Sequence, residues 1–327
     1  MNPIKSENTR IGGPTDYSNN AHSIPNSPSH EISGFQLALA ANILWGTSFL
    51  ASKQTLAAWG PLTASALRFA VALLVMAPLF SLIGLKLRMP KSRSEFFWIS
   101  MVSISGFGFL YPLQLTGLKF ISSGLSAAIM LTSPLFVVAL SALLLKQSIS
   151  ILKIVSLGLG IVGGCVLLFP NANFISTTEF NFFQGSMLTL AASFFLALSV
   201  IATRKASVYM DSANLTFWSM LLGLVLLLPL STYEIANGGL FAPSWPSFLS
   251  LLYLAIVCSA LCFFIWNKAI IKSTPNELAS TMHIKTPTAV ILGCVLASEP
   301  FSLSLLVGGI VVSFGVWLSQ KEQVRKK

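Results

Sequence analysis

Charged side chains are scarce in this sequence. Asp, Glu, Lys and Arg make up 9% of the 327 residues, whereas about 25% is usual in a soluble globular domain. Hydrophobic residues account for 54% of the chain. This composition excludes an ordinary soluble domain and indicates an integral membrane protein.

Histidine and cysteine are also few. The chain contains His22, His30 and His283, and Cys165, Cys258, Cys262 and Cys294. Cys258 and Cys262 share a helix face, but these histidines cannot complete a four-ligand zinc site with them. All four cysteines fall within apolar runs, where a free thiol behaves as a small apolar group. The sequence therefore predicts no metal site, no cofactor and no disulfide framework.

A membrane-embedded enzyme is the disfavoured interpretation. Residues Gly124 to Ala127 have the small-x-Ser form of an intramembrane serine protease, with His283 as a conceivable base. The same form recurs at Gly46 to Phe49, so it carries little information in a chain rich in Gly and Ser. A metal-dependent enzyme needs clustered His, Asp or Glu, which one membrane histidine does not supply.

Apolar runs of about 17 to 25 residues are long enough to cross a hydrocarbon core as α-helices. The sequence predicts an all-α membrane protein with ten of them: Gly34 to Lys53, Pro61 to Ile83, Phe96 to Gly117, Ser123 to Leu145, Lys153 to Phe169, Gln184 to Thr203, Ala213 to Thr232, Trp245 to Trp266, Pro275 to Ser298 and Ser302 to Ser319.

The basic residues outside these runs are divided unequally between the two faces. One face receives Lys5, Arg10, Lys86, Arg88, Lys91, Arg93, Lys146, Lys153, Arg204, Lys205, Lys268, Lys272, Lys321, Arg325, Lys326 and Lys327, and the other only Lys53 and Lys119. Because Lys and Arg concentrate in cytoplasmic loops, this bias predicts a cell-membrane protein with both termini inside. The net charge of +10 is then a matter of topology, and a nucleic-acid partner is not needed.

The two ends of the chain are predicted to be cytoplasmic tails. Residues 1 to 33 contain many Pro, Ser, Asn and Gly residues and few large apolar ones, so we expect a disordered tail. Residues 321 to 327 form a short basic tail. The N-terminal tail lacks the apolar segment of a secretory signal, so the first span is expected to direct membrane insertion.

The chain also repeats itself. A shift of 151 positions lays Gly34 to Lys53 onto Gly185 to Arg204 with seven identities, and a shift of 153 pairs Pro134 with Pro287. This predicts two five-helix repeats, residues 34 to 170 and residues 184 to 320. Because five is odd, the second repeat enters the membrane inverted, and inverted repeats are typical of transporters that work by alternating access.

Several motifs resemble those of the drug/metabolite transporter superfamily, in its ten-helix EamA-type branch. They are Asn42 to Phe49 in the first span, Arg68-Phe69 in the second, Ala127 to Met130 with Pro134-Leu135 in the fourth, and Pro287 with Glu299 around the ninth. The resemblance extends from Gly34 to Ser319 and implies a ten-helix transporter without naming its substrate. Two positions depart from the family pattern: Lys146 stands where a glutamate is usual, and Lys285 where an apolar residue is usual.

Charged residues within spans are the first candidates for contact with cargo, because their cost in lipid makes them face a bundle interior or a wet cavity. Lys285 lies near the middle of the ninth span, with His283 two residues earlier. Arg68 lies a third of the way into the second span, within snorkelling reach of the interface. A structural lysine, a packing histidine and an arginine bound to headgroups or loop carbonyls are the alternatives.

Polar-tipped and flat side chains extend the predicted cavity. They are Asn42, Trp45, Tyr111, Gln114, Trp266 and Asn267. Such a lining suits a small amphipathic molecule, although Trp45 and Trp266 fit an interfacial aromatic belt equally well. Pro134 and Pro287, at matched places, are expected to break or kink their helices and to serve in gating.

The predicted function is transport of a small metabolite, with an amino acid or a related anionic or zwitterionic solute favoured by the positive charge of Lys285 and Arg68. No carboxylate lies at mid-span, so an exporter, exchanger or uniporter is favoured over proton or sodium coupling. A lipid flippase or a nontransporting sensor on the same scaffold is the alternative. Gly160 and Gly164 allow close helix approach, between halves or in a homodimer.

Overall fold

The computed structural model describes residues 32–145, 151–168, 177–238, 242–273, 281–299 and 301–325. Within these ranges the chain is helical and contains no β-strand. The predicted tails therefore lie outside the described residues, apart from Ile32 and Ser33 at one end and residues 321 to 325 at the other. Lys146 also lies outside them.

Thirteen α-helices are present in the described ranges. They are α1 Gly34–Thr55, α2 Pro61–Leu82, α3 Arg93–Val102, α4 Leu110–Leu118, α5 Ser123–Met130, α6 Ser133–Leu145, α7 Ile151–Leu168, α8 Thr177–Ala206, α9 Ser212–Ala236, α10 Trp245–Ala255, α11 Cys262–Lys272, α12 Lys285–Ala297 and α13 Leu303–Arg325. Two π-helical segments, Ser103–Phe109 and Ile256–Leu261, join α3 to α4 and α10 to α11.

Seven helical stretches in the described residues are long and apolar enough to cross a membrane. They are Gly34–Thr55, Pro61–Leu82, Arg93–Leu118, Ser123–Leu143, Phe180–Ala206, Ser212–Ala236 and Trp245–Trp266. Ile151–Leu167, Lys285–Ala297 and Leu303–Leu318 are shorter apolar helices. The chain is therefore a multi-pass membrane protein, as its composition predicts.

Hydroxyl and carboxylate side chains cap the helix starts. Ser33 forms a capping box with Gln36, and the side chains of Ser92, Ser122, Asp211 and Ser244 each accept a hydrogen bond from a backbone N–H in the first turn of their helix. These bonds satisfy backbone donors that have no partner within the helix. Helix starts with these residues can therefore be recognised in the sequence.

Four interruptions lie inside the predicted spans. The π-helical segments occupy the third and eighth spans, and turns at residues 131–132 and 283–284 precede α6 and α12. Pro134 is the second residue of α6, and Pro287 is the third residue of α12. Both prolines thus lie in the first turn after an interruption, where the missing backbone N–H is tolerated. A broken backbone at membrane depth is stable only where protein or a cavity surrounds it.

Helix packing places α1 at the centre of one group of helices. It packs against α10, α11 and α12, while α2 packs against α9 and α7 against α13. Gly46 lets α1 approach α12 closely, since a Cβ atom there would lie 2.6 Å from Thr288 Cβ and 2.9 Å from the Lys285 carbonyl oxygen. Side chains of α1 and α12 are therefore brought together where both helices carry polar residues.

Candidate functional site

The π-helical segment Ile256–Leu261 contacts polar side chains from two other helices. We call these side chains, together with Tyr111, Lys285 and Asn42, the polar cluster. In this wider turn the Cys258 carbonyl oxygen accepts hydrogen bonds from two other helices, at 2.9 Å from Trp45 Nε1 and at 3.5 Å from Arg68 Nη2. Ser259 Oγ donates to the Leu254 carbonyl oxygen at 2.9 Å. The irregular backbone thus serves as a polar junction between α1, α2 and α10, and π-bulges are frequent at functional sites.

Arg68 lies inside the bundle rather than at an interface. Its side chain is 3% exposed, and Nε donates to Ser259 Oγ at 2.7 Å. The guanidinium carbon lies 4.7 Å from the centroid of the Tyr111 ring. Within the described residues Arg68 forms no ion pair, so its charge is held by a hydroxyl, a carbonyl and an aromatic face.

Lys285 approaches the same junction from α12. Its Nζ lies 4.6 Å from the centroid of the Trp45 ring. Trp45 also contacts Trp266, with ring centroids 5.3 Å apart, and Phe263 at 5.6 Å. The half-buried ammonium group therefore rests on an aromatic surface and, among the described residues, has no carboxylate within ion-pair distance.

Asn42 lies one helical turn before Trp45 and is fully buried. Its Nδ2 donates to the Ala38 carbonyl oxygen and to Thr281 Oγ1, each at 2.9 Å. Its Oδ1 has no hydrogen-bond partner among the residues that the structure describes. The first span and the segment before α12 are thus joined by an amide whose acceptor atom is unused.

His283 occupies the turn immediately before α12 and is half-buried. Neither ring nitrogen has a hydrogen-bond partner in the described part of the chain. It shares this turn with the start of the helix that carries Lys285, but no bond joins the two side chains in the described structure.

The other predicted cavity residues divide into three groups. Tyr111 joins the cluster through Arg68 and packs against Phe69 and Phe107, with ring centroids 5.1 and 6.3 Å away. Gln114 is half-buried on α4, and no contact between it and the cluster is described. Asn267 follows Trp266 on α11, but its side chain lies outside the described residues.

Some contributors carry no recognisable signal in the sequence. Ser259, Thr281 and the Cys258 carbonyl each bind a predicted residue, yet a carbonyl group belongs to every position and small hydroxyl residues are abundant here. Thr47 and Tyr253 also share a hydrogen bond of 2.5 Å near Trp45. Only the π-helical geometry distinguishes Ser259 from other serines of the chain.

The carboxylates described in detail lie at helix ends, away from this cluster. Glu299 pairs with Lys53 at 2.8 Å and accepts hydrogen bonds from Ser123 N and Oγ at the start of α5. Burial raises the pKa of the Glu299 carboxyl, but the hydrogen bonds from Lys53 and Ser123 outweigh it and leave the pKa below its ordinary value of 4.5. Glu234 similarly accepts from Thr63 N and Oγ at the start of α2, each at 2.7 Å.

The described residues include no group of three or more His, Cys, Asp or Glu side chains that would hold a metal ion. The cluster instead offers two cations, aromatic faces and hydrogen-bonding groups inside a bundle of apolar helices. Groups of this kind are suited to hold a small polar or amphipathic molecule in a fixed orientation. The class defined by these features is a multi-pass membrane transporter.

Comparison with known proteins names the family. The EamA-like transporter family matches residues 32–169 and again residues 183–320, and the chain belongs to it. The resemblance to the EamA-type branch of the drug/metabolite transporter superfamily is thereby confirmed. This is a family of transporters rather than of enzymes.

Relatives extend over most of the chain. A WAT1-related chloroplastic protein of Arabidopsis thaliana is 28% identical over 281 residues, which are 84% of this chain and 66%, just under two thirds, of the relative. A probable amino-acid metabolite efflux pump of Salmonella typhimurium is 25% identical over 291 residues, which are 86% of this chain and 93% of the pump. A crystal structure with 18% identity has a TM-score of 0.61 and covers 90% of this chain and 98% of its own, so it shares the fold.

Proposed function

We propose that this protein moves a small anionic or zwitterionic metabolite, with an amino acid favoured, across the cell membrane by alternating access. It acts as an exporter, exchanger or uniporter. Ten spans in two inverted five-helix repeats enclose the site, and both termini are cytoplasmic. The observation that carries the proposal is the pair of cations, Arg68 and Lys285, held on aromatic faces inside the bundle.

Charge complementarity favours this class of cargo. A cation on an aromatic ring gains about 0.5 to 2 kcal/mol, whereas a charge-assisted hydrogen bond to a carboxylate is stronger in a site shielded from water. A cargo carboxylate is therefore expected to draw Lys285 from the Trp45 ring. A purely cationic solute would meet repulsion from both residues.

Matched interruptions support the duplication. Residues 103–109 and 256–261 are π-helical, and turns lie at residues 131–132 and 283–284, so both pairs are separated by about the offset of the sequence repeat. Pro78 and Pro229 also lie inside α2 and α9, 151 positions apart. Paired helix interruptions in two halves are typical of carriers in which one half moves against the other.

The relatives and the distribution of carboxylates support the remaining parts. The Salmonella relative bears the name of an amino-acid metabolite efflux pump. The described carboxylates that form contacts are Glu95, Asp211, Glu234 and Glu299, and all lie in loops or at helix ends. We therefore infer that the cargo gradient or the membrane potential drives transport.

A homodimer contact along α7 is also part of this proposal. Gly164 on this helix has open space where a Cβ would lie.

Replacement of Lys285 by Ala tests the role of the cation. Purified protein is screened by thermal shift against amino acids, organic acids, nucleobases, sugars and amphipathic drugs, because a ligand that binds the folded state raises its stability. Uptake into proteoliposomes is then measured for the hits. We expect Lys285→Ala to reduce binding and transport of anionic and zwitterionic solutes by about tenfold or more, and that of neutral solutes far less.

Lys268→Ala is the matched control for this test. Lys268 Nζ also lies over an aromatic ring, 4.4 Å from the Phe264 centroid, but its side chain is exposed. We expect the control variant to transport like the parent. Equal losses for neutral and anionic solutes in folded Lys285→Ala protein would remove Lys285 from the binding site.

A groove between α2 and α9 favours a second function, lipid flipping. It is lined by Ala70, Leu73, Leu74, Ala77, Pro78, Leu221 and Leu224. Leu73 packs in the same apolar cluster as Phe69, which contacts Tyr111 beside Arg68. A flippase would move a labelled phospholipid between leaflets of a vesicle, whereas a solute carrier would leave the lipid in place. A sensor would bind solute without moving it.

A further inference from the structure

Asn42 contains an acceptor atom that the described part of the folded chain does not use. The residue has 0% exposure, and its Nδ2 bonds to the Ala38 carbonyl oxygen and to Thr281 Oγ1. Because a carbonyl oxygen only accepts, the amide nitrogen must face Ala38, which fixes the orientation of the amide. Oδ1 is therefore the atom that has no partner within the described ranges.

A buried carbonyl oxygen without a donor destabilises the fold, and native proteins rarely leave one unsatisfied. Apolar residues are abundant in this chain, and one at position 42 would avoid this cost. A buried acceptor left unused by the described residues is the feature expected where a ligand supplies the donor. That donor must carry an N–H or O–H group.

The unused acceptor and the Lys285 ammonium group are linked through Trp45. Asn42 and Trp45 are three residues apart in α1 and share a helix face, and the Trp45 ring carries Lys285 Nζ at 4.6 Å. One helical turn thus separates the hydrogen-bond acceptor from the aromatic ring that holds the Lys285 ammonium group. An α-amino acid presents the complementary pair, since a single carbon joins its ammonium and carboxylate groups.

We propose that Asn42 Oδ1 accepts a hydrogen bond from the ammonium group of an α-amino acid whose carboxylate binds Lys285. This assignment rests on the proposed function and narrows it from anionic or zwitterionic solutes to the zwitterions. Asn42 is then a specificity-determining residue, because it distinguishes an amino acid from the organic acid with the same body. Trp45, Trp266 and Phe263 provide the surface for the apolar part of the cargo.

The test uses pairs of ligands that differ only in the ammonium group. The pairs are phenylalanine with 3-phenylpropionate and leucine with 4-methylpentanoate, and their dissociation constants are measured with the full-length protein in detergent. We expect Asn42→Leu to raise the dissociation constants of phenylalanine and leucine about tenfold or more, because a hydrogen bond to a charged group is lost. The dissociation constants of the two deaminated acids are expected to change by less than about threefold, because these acids have no ammonium group to bond to the acceptor.

Two further variants separate recognition from packing. Asn42→Asp keeps an acceptor and is expected to preserve the preference for each amino acid over its deaminated partner. Thr281→Val removes the Thr281 end of the hydrogen bond from Nδ2 while leaving Oδ1 in place, and it too is expected to preserve that preference. A loss caused only by disturbed helix packing would appear in Thr281→Val as strongly as in Asn42→Leu.

The outcomes are distinct for the two proposals. Equal weakening of both members of a pair in Asn42→Leu, unchanged binding of phenylalanine and leucine, or parent protein that binds neither amino acid would overturn the role of Asn42. In each of these three cases the proposed function would still hold if the deaminated acids bind the protein and Lys285→Ala weakens that binding. Preference for phenethylamine, which has the ammonium group alone, would overturn both.

Discussion

At the scale of single residues, Arg68 shows how a charge is stabilised within this bundle. Its planar guanidinium bonds to Ser259 Oγ with one nitrogen and to the Cys258 carbonyl with another, while its face lies on Tyr111. Trp45 bonds to the same carbonyl. Arg68 thus helps to fix the ring on which Lys285 rests, and its planar geometry is what allows three simultaneous contacts.

Replacement of Arg68 by Lys is expected to be damaging although the charge is kept. A single ammonium group cannot reproduce the fork, so we expect a loss of about 1.5 to 3 kcal/mol and a lower unfolding temperature in detergent. Ser259→Ala supplies the second side of a double-mutant cycle. If Ser259→Ala costs the same free energy in both backgrounds, Arg68 and Ser259 are not coupled and this account is wrong.

Glu299 gives a prediction about pH. Its carboxyl pKa is lowered in the folded protein by Lys53 and Ser123, so the carboxylate stabilises the fold fully above pH 4.5, the ordinary value, and progressively less as pH falls through the lowered pKa. We expect Glu299→Gln to unfold at a lower temperature than the parent at pH 7. The difference should narrow as the pH is lowered below 4.5. A difference that stays constant down to pH 3 would contradict the assignment.

The sequence identifies several residues of the cluster but not the contacts that join them. Lys285, Arg68, Trp45 and Asn42 stand out because polar or charged groups are costly within an apolar span. The sequence alone allows Arg68 either a cavity or an interfacial position, and the structure buries it because its partners come from the eighth span, 191 positions away. Pairings over such distances depend on the fold and leave no local pattern.

At the scale of helices, the interruptions are harder to predict than the spans. The length of the apolar run predicts a membrane span between Phe96 and Gly117. The residues of Ser103–Phe109 give no sign that this part of the span is π-helical. Such a turn arises because neighbouring helices offer partners for the released carbonyls, as Trp45 and Arg68 do for Cys258. The prolines at 134 and 287 do signal the turns that precede them.

The close approach of α1 and α12 leads to a prediction about glycine. An added Cβ at Gly46 would lie 2.6 Å from Thr288 Cβ and 2.9 Å from the Lys285 carbonyl oxygen, and neither neighbour is the end of a flexible side chain. We expect Gly46→Ala to push the helices apart, to cost about 1 to 3 kcal/mol and to weaken cargo binding, because Lys285 moves away from Trp45.

Gly158→Ala is the control for that substitution. No atom lies within 4 Å of the Cβ position at Gly158 in α7, so the change is expected to be neutral or to stabilise the protein by up to about 1 kcal/mol through helix propensity. Thermal unfolding of both variants measures the contrast. Equal tolerance at the two positions would show that α1 and α12 separate without cost.

At the scale of the whole molecule, carboxylates join the parts of the bundle at helix ends. Glu299, beyond α12, binds Lys53 of α1 and the start of α5, and Glu234 of α9 binds the start of α2. Glu95 pairs with Arg88, whose backbone N–H donates to the Asn214 side chain at the start of α9. These contacts join segments from both matched regions, so relative movement of the two regions must lengthen or break some of them.

Topology is the property on which an alternating-access mechanism depends. The ten spans that we propose would place both termini on one face, and the basic residues, sixteen on that face against Lys53 and Lys119 on the other, would make it cytoplasmic. Single cysteines test this in a variant whose native cysteines are replaced and which still binds cargo. We expect a membrane-impermeant maleimide to label Lys119→Cys in intact cells, and Ser6→Cys, Ser207→Cys and Lys327→Cys only after permeabilisation. Labelling of one terminus alone in intact cells would require an odd number of crossings, and two five-helix repeats of opposite orientation would then be impossible.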